Sequence, residues 1–171
     1  MGAYRERYEN QLNSISIYGE EYRVGEWYDF LVLKTFKMPD ADEYFVLKSR
    51  NENHFLIPAA YYKSYELKPG KMIKCMVDKI NCSGRIFLEP EHPYFIVGKK
   101  YIFRLTDKTQ RSGSKFRVIK QYKLKDEWDN EVLAEYVSNF HLPLHSLIQA
   151  EVSRIRKGAL ILGNVRVINN C

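Results

Sequence analysis

Seven cations in the second half of the chain have the types and spacing to hold a polyanion. Arg104, Lys108, Arg111, Lys115 and Arg117 recur every two to four residues, and Arg156 and Lys157 follow as a pair. Residues 99–125 hold ten basic side chains and one acid, Asp107. Residues 1–93 carry 13 Lys+Arg against 14 Asp+Glu, whereas residues 94–171 carry 14 against 7, so the +6 net charge resides in the second half. Clustered guanidinium and ammonium groups are the electrostatic footprint of a phosphate-backbone binder. A solvated surface tuned for solubility is the alternative. Tyr44 and Phe45 offer, in the near-neutral first half, flat faces on which unpaired bases can stack.

The elements that would position these groups come from an internal repeat. Residues 22–33 (YRVGEWYDFLVL) reappear as residues 95–106 (FIVGKKYIFRLT), with Gly25 on Gly98, Tyr28 on Tyr101 and Phe30 on Phe103, an offset of 73. Residues 61–89 match residues 136–163 at an offset of 75: Tyr61 with Tyr136, Ile73 with Ile148, Val77 with Val152, Ile80 with Ile155. A one-residue gap near Ser83 then aligns Gly84 with Gly158 and Leu88 with Leu162. Kept apolar positions with changed surface positions mean two copies of one small fold. The reading is a leader over residues 1–21, a first copy over 22–93 and a second over 94–171. Copies this small bury only about 60% of their unfolded surface, and the 14% aromatic content compensates with large buried faces.

Alternation of side chains predicts the strands. In the first copy Trp27, Asp29, Leu31 and Leu33 point one way and Tyr28, Phe30 and Val32 the other. Further strands are expected over residues 43–48, 54–58, 72–80 and 85–88, with a turn over 37–42 and an irregular crossover over 59–66. The second copy repeats the plan over residues 101–106, 115–119, 131–134, 147–155 and 159–162. On the strand at 115–119, Phe116 and Val118 are expected to face the core, with Lys115, Arg117 and Ile119 outward. Pro90 and Pro93 cannot continue a ladder and mark the boundary. Residues 3–13, polar throughout, could form a short helix.

Five short strands with a crossover after the third is the plan of the OB barrel, a five-stranded Greek-key barrel. Gly70, Asp78, Ile80, Gly84, Ile86 and Leu88, within LKPGKMIKCMVDKINCSGRIFLEP, resemble the closing half of the RNA-binding OB domain of ribosomal protein S-one. Val24-Gly25 and the alternating residues after it are similar to that family's first strand. The resemblance covers about 65 residues of the first copy and the second copy more faintly. It departs from the family at the second strand, which has no Gly, and at Pro58, near where a His is usual. The fold class it implies is all-β, two tandem five-stranded OB-like barrels. Ligands on such barrels cross the second and third strands, between the loop joining strands one and two and the loop joining strands four and five. In the second copy these loops are residues 107–114, with Lys108 and Arg111, and the turn with Arg156 and Lys157. The function implied is binding of single-stranded RNA or DNA, RNA in preference, without catalysis. The alternative is a protein-interaction adaptor that docks an acidic partner. A third class, a carbohydrate or small-molecule binder, calls for a concave aromatic pocket.

Other chemistries find little. Cys75, Cys82, His54 and His92 could be imagined as metal ligands, but Cys75 falls on Ala150 of the second copy and no Cys-x-x-Cys pair exists. His141 and His145 are separated by Pro143, which disfavours a helix that would align them. No phosphate loop, nucleophile elbow or paired acids beside a His occurs, so no cofactor, no metal and no catalytic residue is expected. There is no apolar run of membrane-spanning length, and three cysteines read as reduced thiols in a cytoplasm.

Overall fold

The computed structural model describes residues 11–39, 41–112, 118–135 and 142–168. The chain divides into two compact units, Met1–Glu91 and His92–Cys171. Both are built from β-strands, and no α-helix occurs among the described residues.

The first unit contains β1 (Gln11–Leu12), β2 (Ser14–Ile17), β3 (Glu20–Arg23), β4 (Trp27–Lys37), β5 (Glu43–Lys48), β6 (His54–Pro58), β7 (Met72–Asn81) and β8 (Ile86–Pro90). Two single 3₁₀ turns, Ala59–Tyr61 and Lys63–Tyr65, form the crossover from β6 to β7. The sheet runs β1-β7-β4-β5-β6, and β8 also pairs with β7. Alternation puts Phe30, Val32, Leu47, Ile57, Cys75, Val77, Ile80 and Leu88 in the core. The leader is not a helix where it is described. Residues 1–10 lie outside the described residues, but β1 pairs with the end of β7 and β2–β3 form a hairpin. That hairpin belongs to the unit: Ile15 and Ile17 pack against its core and Tyr22 is fully buried. The signal was in the sequence, as the alternation of Ser-Ile-Ser-Ile followed by a two-residue Tyr18-Gly19 turn.

The second unit contains β9 (Lys100–Ser112), β10 (Val118–Lys125), β11 (Glu131–Glu135), β12 (Leu147–Arg156) and β13 (Ala159–Ile168). They close into a barrel, β9-β10-β11-β13-β12 and back to β9. Every neighbouring pair is antiparallel except β11 and β13, which meet in parallel at Ala134 and Leu160. Phe103, Leu105, Tyr122, Leu124, Ala134, Ile148, Val152 and Leu160 fill the interior.

The repeat is visible in the backbone hydrogen bonds. Gly25 N donates to Val77 O at 2.8 Å and Val77 N to Glu26 O at 3.0 Å; the second unit has Gly98 N to Val152 O at 2.7 Å and Val152 N to Lys99 O at 2.9 Å. Gly25 and Gly98 hold φ at +87° and +86°, which an L side chain avoids. Arg23 N donates to the Tyr28 hydroxyl, and Ile96 N to that of Tyr101. Ladder bulges recur as well. One extra residue, Leu33 in β4 and Thr106 in β9, interrupts pairing with the next strand, and Asp78 in β7 and Ser153 in β12 do the same.

Two expectations for the second unit are corrected. Residues 107–112 are not a loop: β9 continues to Ser112, and Ser112 pairs with Val118, while residues 113 and 114 lie outside the described residues. The second strand, where it is described, runs over Val118–Lys125 instead of ending at 119, residues 115–117 lying outside the described residues, and Val118 is 55% exposed instead of facing the core. The bulge at Thr106 shifts side-chain alternation in β9 by one residue and twists the strand pair. β10 keeps its alternation: Val118 is in step with buried Tyr122 and Leu124 but lies beyond Gln121, the last residue paired to β11, where β9 and β10 pair with each other as a ribbon.

Candidate nucleic-acid interface

The ribbon carries Lys108, Arg111 and Lys120. Past the bulge, Lys108 lies opposite Tyr122, Gln110 opposite Lys120 and Ser112 opposite Val118, all on one face. Asp107 and Thr109 lie on the other, opposite Lys123 and Gln121, and Arg111 pairs in register with Ile119. Lys108 is half-buried and Lys120 exposed. Lys115 and Arg117 lie outside the described residues, in the segment between the two ribbon strands. Residues 108–120 contain five cations and no acid. Lys120 was missed from sequence because the second strand was placed too early.

Arg156 and Lys157 are not beside the ribbon. Arg156 ends β12, and Lys157 and Gly158, at φ +52° and +70°, make the tight turn into β13. Along the register Lys108–Tyr122–Ala134–Leu160, three interstrand spacings separate the ribbon from β13, about 14 Å. The two cationic groups thus flank β10–β11 on either side. The surface between them is balanced in charge. On β10, Lys123 sits 3.6 Å from Asp107 and Lys125 3.2 Å from Asp129, and Glu131 and Glu135 line β11 opposite Lys125 and Gln121.

Arg104 belongs to a different setting. It is exposed on β9, paired in register with Lys125 and Leu147. It borders a depression of about 420 Å³ with Ile102, Lys125, Asp126, Glu127 and Asp129. The acids come from the β10–β11 turn, where Asp126 accepts from Trp128 N, Asn130 N and Asn130 Nδ2. Those carboxylates offset the charge of Arg104 within this depression.

In the first unit the structure separates the two aromatic candidates. Phe45 turns inward and packs against the core, so its role is structural. Tyr44 turns outward, in a row with Phe36 and Pro58 across β4–β5–β6. The next row is Lys34, Val46 and Leu56, and the one after it Leu31, Lys48 and His54. Phe36 is 43% and Leu56 45% exposed. Phe36 was missed because the Leu33 bulge reverses the alternation that earlier residues of β4 establish.

One end of this face meets the N-terminal hairpin, held by a carboxylate. Glu20 Oε2 accepts from the Tyr22 hydroxyl, from Ser49 Oγ at 2.7 Å and from Asn53 Nδ2 at 3.3 Å. Burial alone would raise the Glu20 carboxyl; these donors and the Asn51 backbone outweigh it and hold the group below its ordinary value. Burial, with the Glu20 hydrogen bond adding to it, pushes the Tyr22 phenol up to about 12. In the core nearby, burial also raises the Cys75 thiol well above its usual range, so it is a packed, protonated group. Among the described residues no three His, Cys, Asp or Glu side chains come together as a metal site. Comparison with known proteins gives no match: no family model, no curated protein and no solved structure is significantly similar to this chain.

Proposed function

We propose that the protein binds single-stranded nucleic acid, RNA in preference to DNA, through two OB-like units with divided roles and no chemistry of their own. The strand order of the second unit supports the OB reading there, since a five-stranded Greek-key barrel is its plan. The matched hydrogen bonds and bulges support extending it to the first. The observation that carries the functional reading is the ribbon of β9 and β10, which holds Lys108, Arg111 and Lys120, within a run of sequence that has five cations and no acid over residues 108–120. A cationic surface free of local acids attracts phosphates by releasing condensed counterions. The outward row of Phe36 and Tyr44, with Lys34 beside it, supplies stacking faces next to a cation. The test is fluorescence anisotropy with a labelled single-stranded oligonucleotide, wild type against K108A/R111A/K120A. A large loss of affinity at low salt supports the reading; equal affinity rejects the ribbon as the contact surface.

The adaptor reading keeps one observation of its own. On the β4–β7 pair of the first unit Trp27, Leu31 and Met72 face outward, Trp27 and Met72 half-exposed or more. Exposed apolar surface of this kind marks protein contacts. Nuclease-resistant capture of an acidic protein would favour it.

A further inference from the structure

Tyr18 is the most exposed large hydrophobic side chain among the described residues, at 87%, and holds φ at +44°. It occupies the first position of the two-residue turn between β2 and β3, with Gly19 at +82° in the second. Turns of this type take Asn, Asp or Gly at that position, and a bulky aromatic is held there against its conformational preference. An outlier of this sort points to a use for the side chain. Nothing in the fold needs the ring, since it buries almost none of its surface.

Tyr18 stands at the edge of a cleft of about 350 Å³, walled by Ile17, Asn51, Glu52, Asn53, His54 and Phe55. That volume lies at the small end of ligand pockets. The cleft is fixed in shape. Asn53 Nδ2 donates to Ile17 O at 3.2 Å, and the Glu20 network ties the hairpin to the β5–β6 turn. Ile17 and Phe55 make the wall apolar, and Asn51 and Glu52 supply planar polar groups along the rim. No cation lines it. Lys48 Nζ approaches Glu52 Oε1 at 2.9 Å and Oε2 at 3.0 Å from outside, which leaves further lone pairs on that carboxylate. An aromatic face, an apolar wall and a hydrogen-bond acceptor without a lining cation suit a flat, neutral, amino-bearing ring and disfavour a phosphate.

The geometry points to a pocket for one unpaired nucleobase carrying an amino group, stacked on Tyr18 and read by Glu52. This rests on reading the outer face of β4–β5–β6 as a nucleic-acid surface. The cleft continues that face: His54 lines the cleft and also belongs to the outward row with Leu31 and Lys48. A strand that passes Phe36, Tyr44 and Leu56 therefore reaches Tyr18 with its phosphates near Lys34 and Lys48. A carboxylate accepts from the amino group of cytosine and repels the carbonyl that uracil carries at the same position.

The test compares labelled oligo-C and oligo-U by anisotropy, with the full chain and two variants. Y18N keeps the turn, because Asn tolerates the left-handed conformation, and removes the ring. E52Q replaces the acceptor-only carboxylate with an amide. Wild type is expected to prefer oligo-C by about tenfold. Y18N should lose about tenfold in oligo-C affinity, and E52Q should bring the preference close to one. Equal binding of the two oligonucleotides by wild type, or an unchanged Y18N, overturns the pocket and leaves the wider interface standing. Failure of wild type to bind either oligonucleotide overturns the interface reading and the pocket with it.

Discussion

His92 gives the second unit a defined acid lability. Its Nδ1 accepts from Tyr94 N at 3.2 Å and Phe95 N at 3.3 Å, and its ring lies 4.9 Å from that of Phe95. Protonation would put a hydrogen where two donors already point. Burial lowers the imidazole from 6.5 to about 4. The folded state therefore binds fewer protons than the unfolded chain between those values, and stability must fall as pH drops through that window. Above pH 6.5 both states are neutral at this ring and its pH-dependent term vanishes. The full shift corresponds to about 3 kcal/mol, and about 2.5 kcal/mol of it is lost by roughly pH 4.5. The assay is urea unfolding followed by circular dichroism at pH 7.5 and 4.5, wild type against H92Q. Carboxylates such as Glu20 titrate in both proteins, so the difference between the two pH dependences isolates the imidazole. Wild type should lose about 2.5 kcal/mol more than H92Q. An equal loss, or an imidazole resonance of His92 titrating near 6.5, refutes the reasoning.

Three further outcomes follow from the packing. E20A removes the acceptor shared by Tyr22, Ser49 and Asn53 and should cost about 1–3 kcal/mol in urea unfolding; a variant as stable as wild type would mean that the carboxylate does not anchor the hairpin. F103A opens a cavity in the barrel core and should cost about 3–5 kcal/mol in the same assay. Tyr44 and Phe45 should divide by role. Y44A should weaken oligonucleotide binding by about 1–3 kcal/mol with little change in stability. F45A should destabilise by about 3 kcal/mol, the low end for a half-buried ring, with binding unchanged once folded protein is compared.

The repeat was legible because buried positions tolerate few exchanges. Phe30 and Phe103, Val77 and Val152, and Ile80 and Ile155 occupy matching core positions, and their spacing survives when surface residues change. Strand ends and facings were legible only as far as the first bulge. An extra residue at Leu33 or Thr106 leaves no local mark, yet it inverts every side chain beyond it. That effect hid Phe36, while the continuation of β9 past Thr106 made a ribbon of an expected loop and carried Val118 beyond the closed barrel. The surplus of cations was plain from counting, but their neighbours were not. Arg104 shares a depression with Glu127 and Asp129, residues more than twenty positions away, where the β10–β11 turn lies beside β9. Residues 1–21 have no counterpart in the second copy, which hid their hairpin, although Ile15, Ile17 and Tyr22 already alternate as a hairpin does.

The central claim is that the cation-rich ribbon engages a phosphate backbone, and the salt dependence of binding tests it most directly. With about five cations each neutralising one phosphate of a single strand, log K plotted against log salt should fall with a slope of about −3.5. K108A/R111A/K120A should flatten that slope to about −1.4, the value left by the two remaining cations. An association constant that does not change from low to moderate salt, or a slope the triple variant leaves intact, would contradict the account.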